Sequence, residues 1–422
     1  MPFATLGLAP ELLPAFSRAL DAAGYTAPTA IQAQAIAPIL RGDDLLACAA
    51  TGSGKTAAFA LPLLQRAALA PASRRVRGLV LVPTRELAAQ VGDTLQALGR
   101  YLPRRVKVVT VAGGASINPQ MLKLRGGADI VVATPGRLLD LVAHNAVDLG
   151  AVGILVLDEA DRLLALGFEA ELGRILALLP RRRQTLLFSA TFPAEVEVLA
   201  RRLLRGPRRI GEDAAAAAPA TIRQRAIEVD SAQRTALLRH LLHSEAWPQA
   251  LVFVASQRGA DNLAEKLGKA GVLAQPFHGE LSQGRRNQAL AGFRSGQVQV
   301  LVATDVAARG LDIAQLPVVV NYDLPRATAD YTHRIGRTGR AGADGLAVSF
   351  VDAASEAHLR LIEKRQQLRV PRERVAGFEP TQTAAPAAAT APQTGGIKGK
   401  RPSKKDKLRA ATAQGGALPA KE

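Results

Sequence analysis

Residues 154–161 read Ile-Leu-Val-Leu-Asp-Glu-Ala-Asp. An apolar run ending in two adjacent carboxylates, Asp158 and Glu159, suits a strand buried on both faces of a parallel sheet. Acids at the carboxyl end of such a strand stand where α/β sheets bind ligands. Neighbouring carboxylates repel each other, and the pair is tolerable if a divalent cation neutralises one while the other moves a proton or positions water. A strand end followed by a solvated acidic turn explains the tetrapeptide alone equally well.

Residues upstream favour the first alternative. Residues 49–56 read Ala-Ala-Thr-Gly-Ser-Gly-Lys-Thr, between the apolar run Leu45–Cys48 and the helical run Ala57–Leu64. This is the strand, loop and helix context that a phosphate-binding loop requires. Ala50, Thr51, Gly52, Ser53 and Gly54 form the candidate cradle, the glycines letting N–H groups face phosphate at a helix N-terminus. Lys55 would reach the β and γ phosphates, and the Thr56 hydroxyl would ligate magnesium. Ala49 stands where the common pattern has glycine. Given this loop, Asp158 is the candidate that holds magnesium, and Glu159 is placed to orient or deprotonate an attacking water. The expected reaction is hydrolysis of a nucleoside triphosphate. Residues 333–340, His-Arg-Ile-Gly-Arg-Thr-Gly-Arg, hold three arginines at spacing three that can aim at one anion. They lie in the second half of the chain, so they can complete the site only by closure. The alternative is a basic helix face, which the interspersed glycines disfavour.

Apolar runs alternate with helical patterns twice along the chain. The first set is Leu79–Pro83, Val106–Val111, Asp129–Ala133, Ile154–Leu157 and Thr185–Phe188. The second is Ala250–Val254, Leu273–Phe277, Val298–Val302, Val318–Tyr322 and Leu346–Val351. Helices are expected at Ala194–Leu204, Arg258–Ala270 and Ser282–Ser295, the last with Ser282 as N-cap. This alternation predicts α/β units with doubly wound parallel sheets. Gly211-Glu212-Asp213, five alanines and Pro219 read as a linker. The expected organisation is a first domain over 1–210, a linker over 211–220, a second domain over 221–380 and a tail over 381–422. The tail is rich in Ala, Pro, Thr and Gln, then in Lys and Arg, and is expected to be disordered.

The chain of 422 residues carries a net charge of +18, of which the tail supplies +6. The rest is therefore basic in its own right, which favours a polyanionic partner. The lone cysteine, Cys48, excludes an internal disulfide and suits a reducing compartment. The N-terminal segment has no signal-peptide pattern, and no apolar segment approaches a membrane span. A cytoplasmic protein with no membrane partner is expected.

Together these strings resemble the DEAD-box ATP-dependent RNA helicases, whose namesake is Asp158-Glu159-Ala160-Asp161. The match runs over residues 24–340 in the family's order. The resemblance implies two tandem RecA-like domains, ATP and Mg2+ as cofactors, and RNA as partner, single-stranded or in short duplexes, with low sequence specificity. In Gly24 to Gln32 it implies an adenine motif in which the Gln32 amide pairs with the base and Tyr25 stacks on it. Phe3 precedes Gly24 by more residues than the family usually has, which leaves open whether it supports the adenine motif. Pro83, Thr84 and Arg85, Gly113 and Gly114, and Thr134, Pro135, Gly136 and Arg137 resemble RNA-contacting segments. Ser189 and Thr191 resemble the motif that couples ATP state to strand separation. In the second half, His278-Gly279, Gln283 to Arg286, and Thr304 are similar to further motifs, Gly279 and Thr304 being implied RNA contacts. By the same likeness Asp312 meets the ribose, Gly310 the γ-phosphate region, Arg337 and Arg340 act as arginine fingers, and His333 links them to the acidic string. Gly377-Phe378-Glu379-Pro380 resembles the bacterial RhlE-type branch. The alternatives are a DNA helicase or translocase of the same superfamily and a non-enzymatic RNA-annealing protein. Partners in ribosome assembly or RNA degradation stay open.

Overall fold

The computed structural model describes residues 2–49, 52–71, 74–211, 222–308, 316–339 and 345–381. Most of the expected linker, and all of the tail after residue 381, lie outside the described residues.

Among the described residues the strands form two seven-stranded sheets. The first holds β1 (Leu45–Cys48), β2 (Gly78–Leu81), β3 (Val108–Val111), β4 (Ile130–Ala133), β5 (Ile154–Leu157), β6 (Gln184–Ser189) and β7 (Arg208–Ile210). The second holds β8 (Ile222–Glu228), β9 (Ala250–Val254), β10 (Ala274–Phe277), β11 (Val300–Thr304), β12 (Val318–Asn321), β13 (Gly345–Val351) and β14 (Arg372–Glu373). The orders are β3-β4-β2-β5-β6-β1-β7 and β10-β11-β9-β12-β13-β8-β14, one topology used twice. All pairings are parallel. The sequence reading of two doubly wound parallel sheets agrees with this architecture.

The apolar runs are continuous because both faces of each sheet are covered. In the first sheet Val80, Val132, Val156 and Leu186 enter one core, whereas their neighbours Leu79, Val131, Leu155 and Leu187 enter another. This is the period of two expected of strands with helices on either side. Ring contacts are few, Phe59 against Phe188 being one, so small aliphatic side chains fill most of the volume.

The three expected helices are present as Ala194–Leu203, Gln257–Lys269 and Gln283–Arg294. The Ser282 side chain accepts from Arg285 N at 3.4 Å and caps the last of them. The strands that the reading missed are β7, β8 and β14. Each carries charged residues along its length, because β7 and β14 are sheet edges and β8 lies beside the two-residue edge strand β14. Several strands are offset from their expected bounds by one or two residues. β11 ends at Thr304 and β2 at Leu81, which leaves Pro83 and Thr84 beyond the strand, at the sheet's carboxyl edge.

Candidate functional site

The phosphate-loop candidate follows β1. Ala50 and Thr51 lie outside the described residues. Ala49 is still in extended ladder geometry, its N–H donating to Ser189 O at 2.9 Å, so a Cβ is accommodated there. Gly52 and Gly54 have φ of 84° and 90°, a conformation that L side chains rarely adopt. Lys55 and Thr56 open the helix Lys55–Leu69.

Gln32 is fully buried. Its Oε1 accepts from Thr29 N at 2.9 Å and its Nε2 donates to Gly54 O at 3.0 Å. The side chain thus completes a capping box on the helix Ala30–Arg41 and ties that helix to the loop. A Cβ on Gly54 would stand 2.5 Å from Gln32 Nε2. Tyr25 is packed edge-on by Phe3, ring centroids 6.4 Å apart. Phe3 therefore supports this motif in spite of its long spacing from Gly24.

The acidic string follows β5. Lys55 Nζ is 3.1 Å from Asp158 Oδ1 and 3.7 Å from Glu159 Oε1, and all three side chains are buried. Burial pulls the Lys55 pKa down, but Asp158, Glu159 and Asp161 outweigh it and hold the ammonium charged above its usual value. Burial pushes the Asp158 carboxyl up, and the Glu159 charge adds to that push. Burial acts on Glu159 in the same sense. There it is overcome by Arg162, Lys55, Arg337 and His333, which bring the carboxyl down to about 2. Arg162 Nη1 reaches Glu159 Oε2 at 2.9 Å. Asp158 Oδ2 is buried with no hydrogen-bond partner among the described residues.

Glu159 adopts φ 53° and ψ 53°. A left-handed glutamate costs on the order of 1–3 kcal/mol and persists where the surroundings over-determine it. Here β5 and the helix Ala160–Ala165 hold it from both sides, and its N–H donates to Asp158 Oδ1 at 2.9 Å. The turn aims both carboxylates at the loop after β1. Among the described residues no cluster of three or more His, Cys, Asp or Glu is placed to hold a metal.

Ser189 and Thr191 attach to the same string. Thr191 Oγ1 donates to Asp161 Oδ2 at 2.8 Å, Asp161 N donates to Ser189 Oγ at 3.3 Å, and Ser189 Oγ donates to Thr191 O at 2.7 Å. From the second sheet, His333 Nε2 comes within 3.8 Å of the same Asp161 Oδ2. Arg337 is buried and close enough to Glu159 to lower its pKa.

The expectation that three arginines of this segment aim at one anion needs correction. Arg334 is turned away and fully engaged: it binds Asp305 through two nitrogens at 2.6 and 2.7 Å, Asn321 Oδ1 at 3.0 Å and Asp323 O at 2.6 Å. Its guanidinium also lies 4.8 Å from the centroid of the Phe253 ring. Helical spacing alone did not show that Asp305, after β11, and Asp323, after β12, flank the end of β9 within its reach. Arg340, Gly310 and Asp312 lie outside the described residues.

The candidate RNA segments of the first sheet share its carboxyl edge. Thr84 caps the helix Arg85–Leu98, accepting from Leu87 N at 3.3 Å. Gly113 N donates to Thr134 Oγ1 at 3.3 Å. Gly114 has φ 80°, and a Cβ there would fall 2.3 Å from Arg85 Nη1. Pro135 and Gly136 begin the helix Pro135–Ala143, and Arg137 Nη2 donates to Ala115 O at 2.9 Å. In the second sheet Gly279 follows β10 and Thr304 ends β11. The sequence places Glu86 inside the candidate RNA segment 83–88 and gives it no partner in the second half. Glu86 joins Arg286 across the two sheets at 2.6 Å, and also pairs with Arg85 at 3.0 Å. Arg162 was missed, although its position three residues after Glu159 was the available signal.

Comparison with known proteins agrees with this geometry. Residues 29–199 match the family model described as DEAD/DEAH box helicase, and residues 233–342 match the helicase conserved C-terminal domain. The chain is 40% identical to the DEAD-box ATP-dependent RNA helicase CshA of Bacillus cereus, over 88% of this chain and 69% of that protein. Among solved structures, S. cerevisiae Dbp5 bound to RNA and ADP BeF3 matches with a TM-score of 0.79 and 32% identity, covering 88% of this chain and 95% of that one. A Dbp5 variant bound to Nup159, Gle1, IP6 and ADP gives 0.60 at 31% identity, covering 88% and 96%. The chain belongs to the DEAD-box helicase family.

Proposed function

We infer that this protein is an ATP-dependent RNA helicase. ATP and single-stranded RNA together close its two RecA-like domains, short duplexes open locally, and hydrolysis resets the grip. One observation carries the reading: Lys55, Asp158 and Glu159 gather beside the first sheet, and His333 and Arg337 come from the second half to Asp161 and Glu159, so the reaction centre is complete only when the two halves close. The domains are taken as residues 1–210 and 221–380, joined by the linker.

In this reading the loop around Gly52 to Gly54 and Lys55 takes the β and γ phosphates. The free buried oxygen of Asp158 and the Thr56 hydroxyl fit a Mg2+ bound mainly through phosphate and water, which is how this ion is usually held. The ion would neutralise charge developing on the phosphate oxygens. Glu159 orients the attacking water, and Arg337 with Arg340 stabilises the transition-state charge. Thr84, Gly113, Gly114, the 134–137 segment, Gly279 and Thr304 hold RNA through phosphates and 2′-hydroxyls, which selects RNA without reading sequence. The chain Ser189, Thr191, Asp161 and His333 couples the two sites.

Gly377-Phe378-Glu379-Pro380 supports placement in the RhlE-type branch. Phe378 packs against the second core and lies 5.4 Å from the His240 ring. The single cysteine, Cys48, is buried with its Sγ donating to Ala190 O at 3.8 Å, in keeping with a cytoplasmic location.

Glu159→Gln tests the reading. It should bind ATP and RNA yet turn over at least about a hundredfold more slowly, accumulating as an RNA-bound ATP complex. RNA should stimulate the wild-type ATPase, and DNA should do so poorly. Hydrolysis by the variant at the wild-type rate overturns the role of Glu159, and equal stimulation by DNA overturns the choice of RNA.

A further inference from the structure

In a wholly parallel sheet the residues that lead into each strand gather at one edge. In the first sheet that edge lies opposite the one carrying Lys55, Asp158 and Thr84. Its lead-in segments are basic in a regular pattern. Arg74-Arg75-Val76-Arg77 precedes β2, Arg104-Arg105-Val106-Lys107 precedes β3, Arg181-Arg182-Arg183 precedes β6, and Arg205-Gly206-Pro207-Arg208-Arg209 runs into β7. In the sheet order β3-β4-β2-β5-β6-β1-β7 these are alternate strands from one edge to the other. At about 4.8 Å per strand step the row spans roughly 29 Å.

Topology alone does not require this charge. The second sheet has the same order, yet the segments 245–249 before β9 and 270–273 before β10, which stand where β2 and β3 stand in the first, contain no Lys or Arg, and the segment 367–371 before β14 has only Arg369. The nearby acids cancel only part of it. Asp129 pairs with Arg104 at 2.6 Å and Glu197 with Arg209 at 3.2 Å, while Asp44 spends its oxygens on Thr185 N and Arg205 N at 2.7 and 2.8 Å. Arg183 is half-buried, and burial together with the Arg205 charge lowers its pKa.

A cavity of about 410 Å³ opens in the middle of the row, where β2, β4 and β5 begin. Its wall is apolar at Leu63, Ala67 and Ile154, and carries the guanidinium groups of Arg66 and Arg77. Arg77 Nη1 is buried with no hydrogen-bond partner among the described residues. The Arg66 pKa is lowered by burial, with no anion opposing the shift. A buried guanidinium nitrogen without a partner, such as Arg77 Nη1, is costly, and a ligand phosphate removes that cost.

We propose that this edge is a second RNA-binding face, in which the alternate-strand arginines hold successive phosphates of one RNA strand and the cavity takes one unstacked nucleotide beside Arg66 and Arg77. The inference rests on RNA being the partner of the first site. Arginine supplies both parts of the recognition, forked bonds to phosphate and stacking on a base. The volume suits a small ligand of this size. A strand held here stays attached while the opposite edge opens and closes.

The test is the full chain with Arg74→Gln, Arg105→Gln, Arg182→Gln and Arg208→Gln, one exposed arginine from each segment. Without nucleotide, the slope of log affinity for a long single-stranded RNA against log salt should fall by about 3, each lost phosphate contact accounting for about 0.7. ATPase activity saturated with a short RNA should stay at the wild-type level. An unchanged slope with that activity intact overturns the second face and leaves the helicase reading standing. If no RNA stimulates the wild type, the helicase reading itself fails. Loss of binding to phosphatidylglycerol vesicles without loss toward RNA overturns the proposal in favour of a membrane surface. For the cavity, a 4-thiouridine RNA should crosslink to the peptide containing Arg66 and Arg77 in the wild type and not in the Arg66→Gln, Arg77→Gln variant. Absence of that crosslink from the wild type overturns the nucleotide pocket.

Discussion

Arg286 of the second sheet and Glu86 of the first meet at 2.6 Å, with side chains only 4% and 8% exposed. The Arg286 guanidinium also rests 4.9 Å from the centroid of the Phe277 ring, and Glu86 is shared with Arg85. A pair this buried is strong only if both partners are present, because removing one strands the other charge. Arg286→Ala should therefore weaken RNA binding about tenfold or more in the presence of a non-hydrolysable ATP analogue and leave nucleotide-free binding nearly unchanged. Glu86→Ala should do the same. Their double-mutant cycle, read by RNA titration, should give a coupling of about 1.5 kcal/mol or more. Additive losses would remove the pair from the closure step.

The contact of Gln32 with Gly54 makes a prediction for ATP affinity. Gly54→Ala places a methyl against Gln32 Nε2 and strains a residue at φ 90°. The cost should be about 1–3 kcal/mol, concentrated in the phosphate loop. A fluorescent ATP analogue should bind the variant at least about tenfold more weakly. Gln32→Ala should weaken binding too, because the loop loses its tie, while RNA binding without nucleotide should hold. Wild-type affinity in both variants would separate Gln32 from the loop.

Thr191 and His333 both address Asp161 Oδ2, one from each sheet. Thr191→Ala should leave ATP hydrolysis within about threefold of wild type while unwinding of a short duplex falls by a larger factor. The variant removes one hydrogen bond to a carboxylate, about 1.5–3 kcal/mol, from the link rather than from the reacting atoms. Equal losses in the two assays would place Thr191 in the chemistry instead.

The second sheet should carry an acid-labile clamp. Arg372 binds Glu363 at 2.7 Å and Glu356 at 3.0 Å, and Val370 N donates to Glu363 Oε1 at 2.8 Å. Burial pushes the Glu363 carboxyl up, but these bonds outweigh it and hold the pKa below the ordinary value. A depressed carboxyl stabilises the fold fully above its unfolded pKa of about 4.3, and that stability is lost as pH falls through the folded value. Glu363→Gln should cost about 1–3 kcal/mol near neutral pH, and its difference from wild type should shrink below about pH 4. Trp247, the lone tryptophan, is buried in the core of this sheet, so its fluorescence reports urea unfolding of this half directly. A constant difference across that range would refute the clamp.

Much of this protein could be read from local strings. The apolar runs announce buried parallel strands because each covers both faces of a sheet. Gly52 to Thr56 announces a phosphate loop because all its donors are neighbours in sequence. The acids after β5 are similarly local. What required the fold were relations between distant residues. Nothing in the spacing says that Glu86 and Arg286 meet, that Gln32 closes on Gly54 O, or that Arg334 is diverted to Asp305 while its neighbour Arg337 turns to Glu159. The left-handed backbone of Glu159 is set by the strand and helix that pin it, not by its residue type. The basic segments at 74–77, 104–107, 181–183 and 205–209 are visible in the sequence, but their order along one edge is decided by strand pairing, which places β3, β2, β6 and β7 alternately across the sheet. Local chemistry is written in neighbouring residues, and the meeting of charges from separate strands depends on which strands the sheet brings together.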